Sequence, residues 1–152
     1  MNSYKDEVNE TFGGRIRIRA CGVLVEKNQI LLVKHLGVGK KGTLWAPPGG
    51  GVVLGEISKE TVKREFLEET GLEVEVKEFL FYSEFVNLPL HSVELFFKVN
   101  RIGGTLVKGT DPEISTTDLI DSVAFKSLEE IKKEGLEYYH SMFANLDDLK
   151  NL

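Results

Sequence analysis

The stretch Gly50–Leu72, GGVVLGEISKETVKREFLEETGL, constrains this chain more than any other, because a glycine-rich loop runs there into a helix-forming segment crowded with acid. Ser58 is a suitable N-cap and Gly71 a suitable C′ residue, so a helix is expected over roughly 59–70. At about 100° per residue, Glu65, Glu68 and Glu69 fall within an arc of about 100° on one face. Like charges at these spacings cost roughly a few tenths of a kcal/mol per pair, and a helix built only for solvation would interleave lysines. A divalent cation accounts for such a face, since Mg²⁺ takes hard oxygen ligands and keeps several waters for a phosphate. Arg64, one turn before Glu68, can hold that carboxylate in place. Glu56 lies against the positive end of the helix. An ordinary acidic helix beside a glycine turn explains three loose glutamates; it explains the whole array at fixed spacing poorly.

That array reads glycine, five residues, glutamate, seven residues, then Arg-Glu-apolar-x-Glu-Glu-x-Gly-apolar, and it resembles the signature of the Nudix hydrolases. Every defining position is filled, with Phe66 where an aliphatic residue is commoner. The approach Leu44-Trp45-Ala46-Pro47-Pro48-Gly49-Gly50-Gly51 is also similar to the family's, while Val53 stands where many relatives carry an acidic residue. The resemblance implies an α/β fold, an α/β/α sandwich around a mixed β-sheet. It also implies Mg²⁺-dependent hydrolysis, with Mn²⁺ as a substitute, of a nucleoside diphosphate linked to another moiety. By the same resemblance a carbonyl of the loop, taken as that of Gly50, joins Glu65, Glu68 and Glu69 around the metal. The proton of the attacking water passes to Glu65 or to a carboxylate outside the motif. Glu113, in the loop TDPE, is the candidate for the latter, with Glu94 and Asp118 weaker.

Candidate contacts to substrate lie nearby. Gly49 and Gly51 have no Cβ and let a ligand approach the backbone. Arg19 belongs to Arg15–Ala20, a strictly alternating strand pattern whose arginines are expected on the wet face, where they are either solvated or in reach of a phosphate. Trp45 either stacks on a base or, the favoured reading, packs beneath the Pro47-Pro48 turn. Cys21 reads as a small core residue, since nothing near it in sequence lowers its pKa. His35, His91 and His140 form no spacing typical of a zinc site.

The rest of the chain sets the frame. Its 152 residues, 41% apolar, suit a single domain over 14–152 after a polar segment, 1–13, expected to be poorly ordered. A net charge of −5 spread over both halves argues against a nucleic-acid polymer as partner. No apolar run approaches the roughly 18 residues of a membrane span, the polar N-terminus is not expected to act as a signal peptide, and a single cysteine fits the reducing cytoplasm. The first strand is expected to continue through Val25 and to pair as a hairpin with Ile30–His35 across a turn at Glu26–Gln29. Leu72–Val76, Phe79–Val86, Val93–Val99 and Asp121–Phe125 read as strands, and 101–112 as mostly loop. Ser127 and Glu130 form a capping box for a helix to Glu134, followed by a second helical segment over 136–152.

The expected partner is a small-molecule nucleotide derivative. Pro89, in a position similar to that of a proline in some ADP-ribose-type relatives, favours an ADP-ribose-like or nucleotide-sugar substrate. The alternatives are a house-cleaning nucleoside triphosphate pyrophosphohydrolase and a catalytically silent nucleotide-sensing module on the same fold. Silent modules usually lose motif carboxylates, and this chain keeps them. Many relatives dimerise, and the resemblance extends a homodimer expectation to this chain.

Overall fold

The computed structural model describes residues 3–108 and 119–152. Period-two alternation along its inner strands divides the apolar side chains between two cores. In β1 (Arg15–Val23), Ala20 faces one core and Cys21 and Val23 the other, and in β7 (Leu90–Gly104) Phe97 and Phe96 divide in the same way. β1 and β7 run parallel, from Arg15 beside Leu90 to Val23 beside Lys98. β5 (Gly49–Gly51) flanks β1 and β6 (Leu72–Asn87) flanks β7, both antiparallel, giving a mixed sheet of order β5-β1-β7-β6. A second sheet is centred on β3 (Gln29–Leu36), which pairs antiparallel with β2 (Val25–Glu26), β4 (Thr43–Ala46) and β8 (Ile120–Lys126).

Helices cover the cores from either side, the mixed α/β architecture the sequence implied. Val62 and Phe66 of α2 (Ser58–Thr70) pack with Ala20, Leu24, Leu72 and Val74. Ile131 of α3 (Leu128–Glu134) packs with Cys21, Ile30, Leu32 and Phe96. Phe66 is fully buried, a contribution of about 1.5–3 kcal/mol. Its ring lies against Gly22, where an added Cβ would come within 2.6 Å of a ring carbon. Gly22→Ala should therefore cost about 1–3 kcal/mol by overpacking. The check is urea unfolding, where the midpoint falls at unchanged slope.

Several expectations need correction. β1 does not form a hairpin with β3; it ends at Val23, and only the two-residue β2 turns back onto β3. The turn residues Lys27 and Asn28 take φ of 50° and 61°, the twist a tight hairpin requires. The wet face of β1 is inverted as well. Ile16 and Ile18 are 65% and 46% exposed, while Arg17 and Arg19 turn inward to a cavity, because that face of the strand continues to buried Cys21 and Val23.

Residues 4–12, expected to be poorly ordered, form α1 (Tyr4–Phe12), capped by a Ser3–Asp6 box and anchored by buried Val8. In α2 the N-cap is Ile57, with Ser58 already helical, while Gly71 takes the left-handed φ of 77° that ends the helix. β7 extends through Gly104, where Arg101, expected in a loop, bonds Glu26 at 2.6 Å. The segment after Gly135 is not one helix but three short 3₁₀ turns, at Leu136–Tyr138, Ser141–Phe143 and Leu149–Asn151. The His140 amide donates to the Trp45 carbonyl at 2.8 Å, which takes it out of any helical ladder. No helix among the described residues is long and apolar enough to cross a membrane.

Candidate functional site

β5 brings three glycines over α2, and the fit explains why they are glycines. A Cβ on Gly50 would overlap the Glu65 carboxylate, and one on Gly49 would meet Cys21 Sγ at 2.5 Å. Without those side chains the helix carboxylates reach the loop. The Gly49 amide donates to Glu69 Oε1 at 2.8 Å, and Glu65 and Glu69 are only 3% and 2% exposed.

Arg64 organises the acidic face. Its Nε and Nη2 donate to the two oxygens of Glu56 at 2.9 and 3.0 Å, a bidentate pair. Its Nη1 reaches Glu65 at 2.8 Å and Glu68 at 3.3 Å, and Nη2 also donates to the Gly51 carbonyl at 3.2 Å. Glu56, rather than Glu68, is thus its principal partner. The Glu56 carboxyl is held down to about 2, first by the hydrogen bond from Arg64, against the opposing cost of desolvation, with Thr61 adding a 2.6 Å bond.

A depressed carboxyl stabilises the fold fully above its unfolded value of 4.5 and loses that contribution as pH falls towards 2, since the unfolded chain takes up the proton first. Glu56→Gln should therefore flatten the decline in stability between those pH values. Urea midpoints measured at stepped pH check this.

Beside the carboxylates lies a cavity of about 110 Å³. Glu65, Glu69, Gly49 and Gly50 form one part of its wall, and Arg17, Arg19, His35, Glu94 and His140 another. Arg19 donates to Glu94 at 2.5 Å and to the Gly49 carbonyl at 3.3 Å. The other Glu94 oxygen meets His140 Nε2 at 2.8 Å, and the Met142 amide donates to His140 Nδ1 at 3.0 Å. Burial alone would raise the Glu94 carboxyl, but the His140 bond and the Arg19 charge outweigh it and hold it below the usual range. Burial, then the charge of Arg19, pushes the His35 imidazole down to about 4, so the ring is neutral at pH 7. Burial pushes the Cys21 thiol well up, consistent with a core residue.

The structure therefore gathers Glu65, Glu69, Gly49, Gly50 and Arg19 at one cavity. Glu68 lies on Arg64 and does not line it, and the Gly51 carbonyl is taken by Arg64. Trp45 does not line it either. Its indole fills the core, stacked on Tyr139 at 6.2 Å with Lys126 4.9 Å above the ring, so the base-stacking expectation gives way to the packing one. Glu113 and Asp118 lie outside the described residues.

Sequence reading missed His140 and underrated Glu94, which lie 46 positions apart. One signal was present: a lone carboxylate in the apolar run VELFFKV must find a partner when that strand is buried.

Among the described residues no three acidic, histidine or cysteine side chains already converge as metal ligands. Two buried carboxylates beside a backbone with no Cβ nevertheless match what Mg²⁺ asks of a protein, one or two carboxylates with water and substrate phosphate completing the shell.

Comparison with known proteins agrees with this geometry. The family model described as the NUDIX domain matches residues 15–145. An ADP-ribose pyrophosphatase of Methanocaldococcus jannaschii is 41% identical over 92 residues, 59% of this chain and 54% of that protein. A Bacillus subtilis protein provisionally named 8-oxo-dGTP diphosphatase is 53% identical over 49 residues, 32% of this chain and 30% of its own. The chain thus spans about half the length of the first of these curated relatives and under a third of the second. The crystal structure of a MutT protein from Methanosarcina mazei superposes with a TM-score of 0.66 at 22% identity, covering 84% of this chain and 87% of that one, which shows the shared fold.

Proposed function

The chain belongs to the NUDIX domain family, and from that premise we propose that it hydrolyses a nucleoside diphosphate joined to a second moiety, releasing a nucleoside monophosphate and a phosphorylated partner. The observation that carries this reading is the meeting of Glu65, Glu69 and the Gly49–Gly50 backbone in the wall of one cavity. Glu65, Glu69 and the Gly50 carbonyl are the groups to hold Mg²⁺, or Mn²⁺ in its place, with Glu68 as the further carboxylate. When bound, such an ion neutralises charge on the diphosphate and acidifies water.

The chain's own residues supply the positioning. Arg64 fixes Glu65 and Glu68, while the Gly49 amide orients Glu69. Arg19 holds the Gly49 carbonyl. Glu65 is assigned to accept the proton of the attacking water. Glu113 is the competing acceptor, and Glu113→Gln separates the two: retained turnover leaves the role with Glu65.

An ADP-ribose-like substrate is favoured. The archaeal relative with that name matches over 92 residues, against 49 for the relative with the triphosphate name. Product analysis by mass spectrometry tests the reading, with a panel of nucleoside diphosphate derivatives and nucleoside triphosphates, Mg²⁺ or chelator, and the Glu69→Gln variant alongside. Mg²⁺-dependent cleavage by the natural chain alone is expected. Tight binding without any cleavage would establish the sensing module instead.

A further inference from the structure

α1 precedes the family match, which begins at residue 15, yet it contributes to the cavity. Val8 and Phe12 line it, Val8 is 3% exposed, and the Arg17 guanidinium sits 4.3 Å over the Phe12 ring, fixing the ring at the wall. The helix is tied down along its length. Its first turn presses on the loop after β3, where a Cβ on Gly37 would strike the Tyr4 carbonyl. At its other end Arg15 donates to the Thr11 carbonyl at 3.2 Å, and the Gly14 amide donates to Pro89, in the turn between β6 and β7, at 2.9 Å.

Leu36, Val38, Leu44 and Leu119 extend the apolar lining. His35 stands in the same wall, and its Nε2 is the buried side-chain polar atom without a hydrogen-bond partner among the described residues. An unsatisfied buried nitrogen is costly and needs a reason. A flat ring with polar atoms at its edge supplies one, since its faces suit Phe12 and the aliphatic side chains and its edge suits the imidazole.

We propose that α1 and His35 form the nucleobase subsite of this protein, with Phe12 and Val8 against the ring and His35 hydrogen-bonded to its edge. The inference rests on the hydrolase reading for the diphosphate half of the ligand; the subsite itself needs no metal. Phe12, Val8 and His35 are then specificity-determining residues that touch the base rather than the bond that breaks.

Calorimetric titration without metal tests this, with AMP, GMP, UMP and ribose 5-phosphate as probes. At least one nucleotide should bind the natural chain about tenfold or more tighter than ribose 5-phosphate, the gain expected of one stacked base. Phe12→Ala should erase that preference and leave ribose 5-phosphate affinity unchanged, while Phe12→Tyr, which keeps the ring, should retain it. His35→Phe probes the subsite from β3, so the test survives if Phe12→Ala loosens α1, and it should also narrow the preference. Equal affinity of the natural chain for nucleotides and ribose 5-phosphate overturns the proposal, as does a preference that outlives both Phe12→Ala and His35→Phe. Failure of the hydrolase reading looks different: no Mg²⁺-dependent cleavage of any diphosphate, whatever the metal-free affinities are.

Discussion

Glu69→Gln should lower kcat by about a hundredfold to a thousandfold, roughly 3–4 kcal/mol of lost transition-state stabilisation, while leaving the fold intact. The fold survives because Glu69 Oε1 acts structurally as an acceptor for the Gly49 amide at 2.8 Å, and a glutamine carbonyl can accept in the same place. What disappears is a negative charge on a buried group that the proposed ion requires. The variant carries its own internal control. Without metal, Glu65 and Glu69 are two carboxylates on one helix face, so removing one charge should leave the melting temperature unchanged or raised. Mg²⁺ should raise the melting temperature of the natural chain through ligand linkage and leave that of the variant nearly unmoved. Scanning fluorimetry with Mg²⁺ or chelator, beside a turnover assay, reads both effects. Near-normal turnover in the variant would remove Glu69 from the ligand set.

The largest stability effect is expected at Glu94→Ala, about 3–5 kcal/mol, because truncating one member of a buried ion pair strands the other charge. Glu94 is 3% exposed and bonded on both oxygens, to Arg19 at 2.5 Å and to His140 at 2.8 Å. Arg19 would lose its hydrogen-bonded carboxylate beside the Gly49 carbonyl, so the loss should reach the glycine loop as well as the sheet. Arg19→Met combined with Glu94→Leu removes both charges together and should recover much of the stability without recovering activity. Urea unfolding of Arg19→Met, Glu94→Leu and their combination measures the coupling. Additive losses would show that the two side chains act independently.

How far the sequence reached depended on the range of each interaction. The acidic face of α2, its stop at Gly71 and the capping box at Ser127 and Glu130 are local, spanning at most a few turns, and local patterns survive in a linear text. The pairing of β1 with β7, some 75 residues away, leaves no such trace, and of the hairpin expected with β3 only the closing end at Val25–Glu26 forms. The inverted face of β1 has the same origin. Alternation reveals that two faces differ, but which face turns inward is decided by the buried Cys21 and Val23 further along it and by partners such as Glu94, 75 residues from Arg19. α1 is masked in the sequence by its charge, which leaves Val8 as its one buried residue. Trp45 lies in the core as the packing reading expects, but its neighbours are Tyr139 and Lys126 from the far end of the chain, which the adjacent prolines do not reveal.

The bonds from Met142 through His140, Glu94, Arg19 and Gly49 to Glu69 lie in series, running from a late turn of the chain to the acidic helix. Parts joined in this way open together rather than one by one. The amide protons of His140 and Gly49 should therefore trade with heavy water at similar, slow rates, set by collective opening rather than by fraying of the chain's end. The clock of the C-terminal turns and the clock of the glycine loop would then be one clock, and a change that loosens either should be heard at the other.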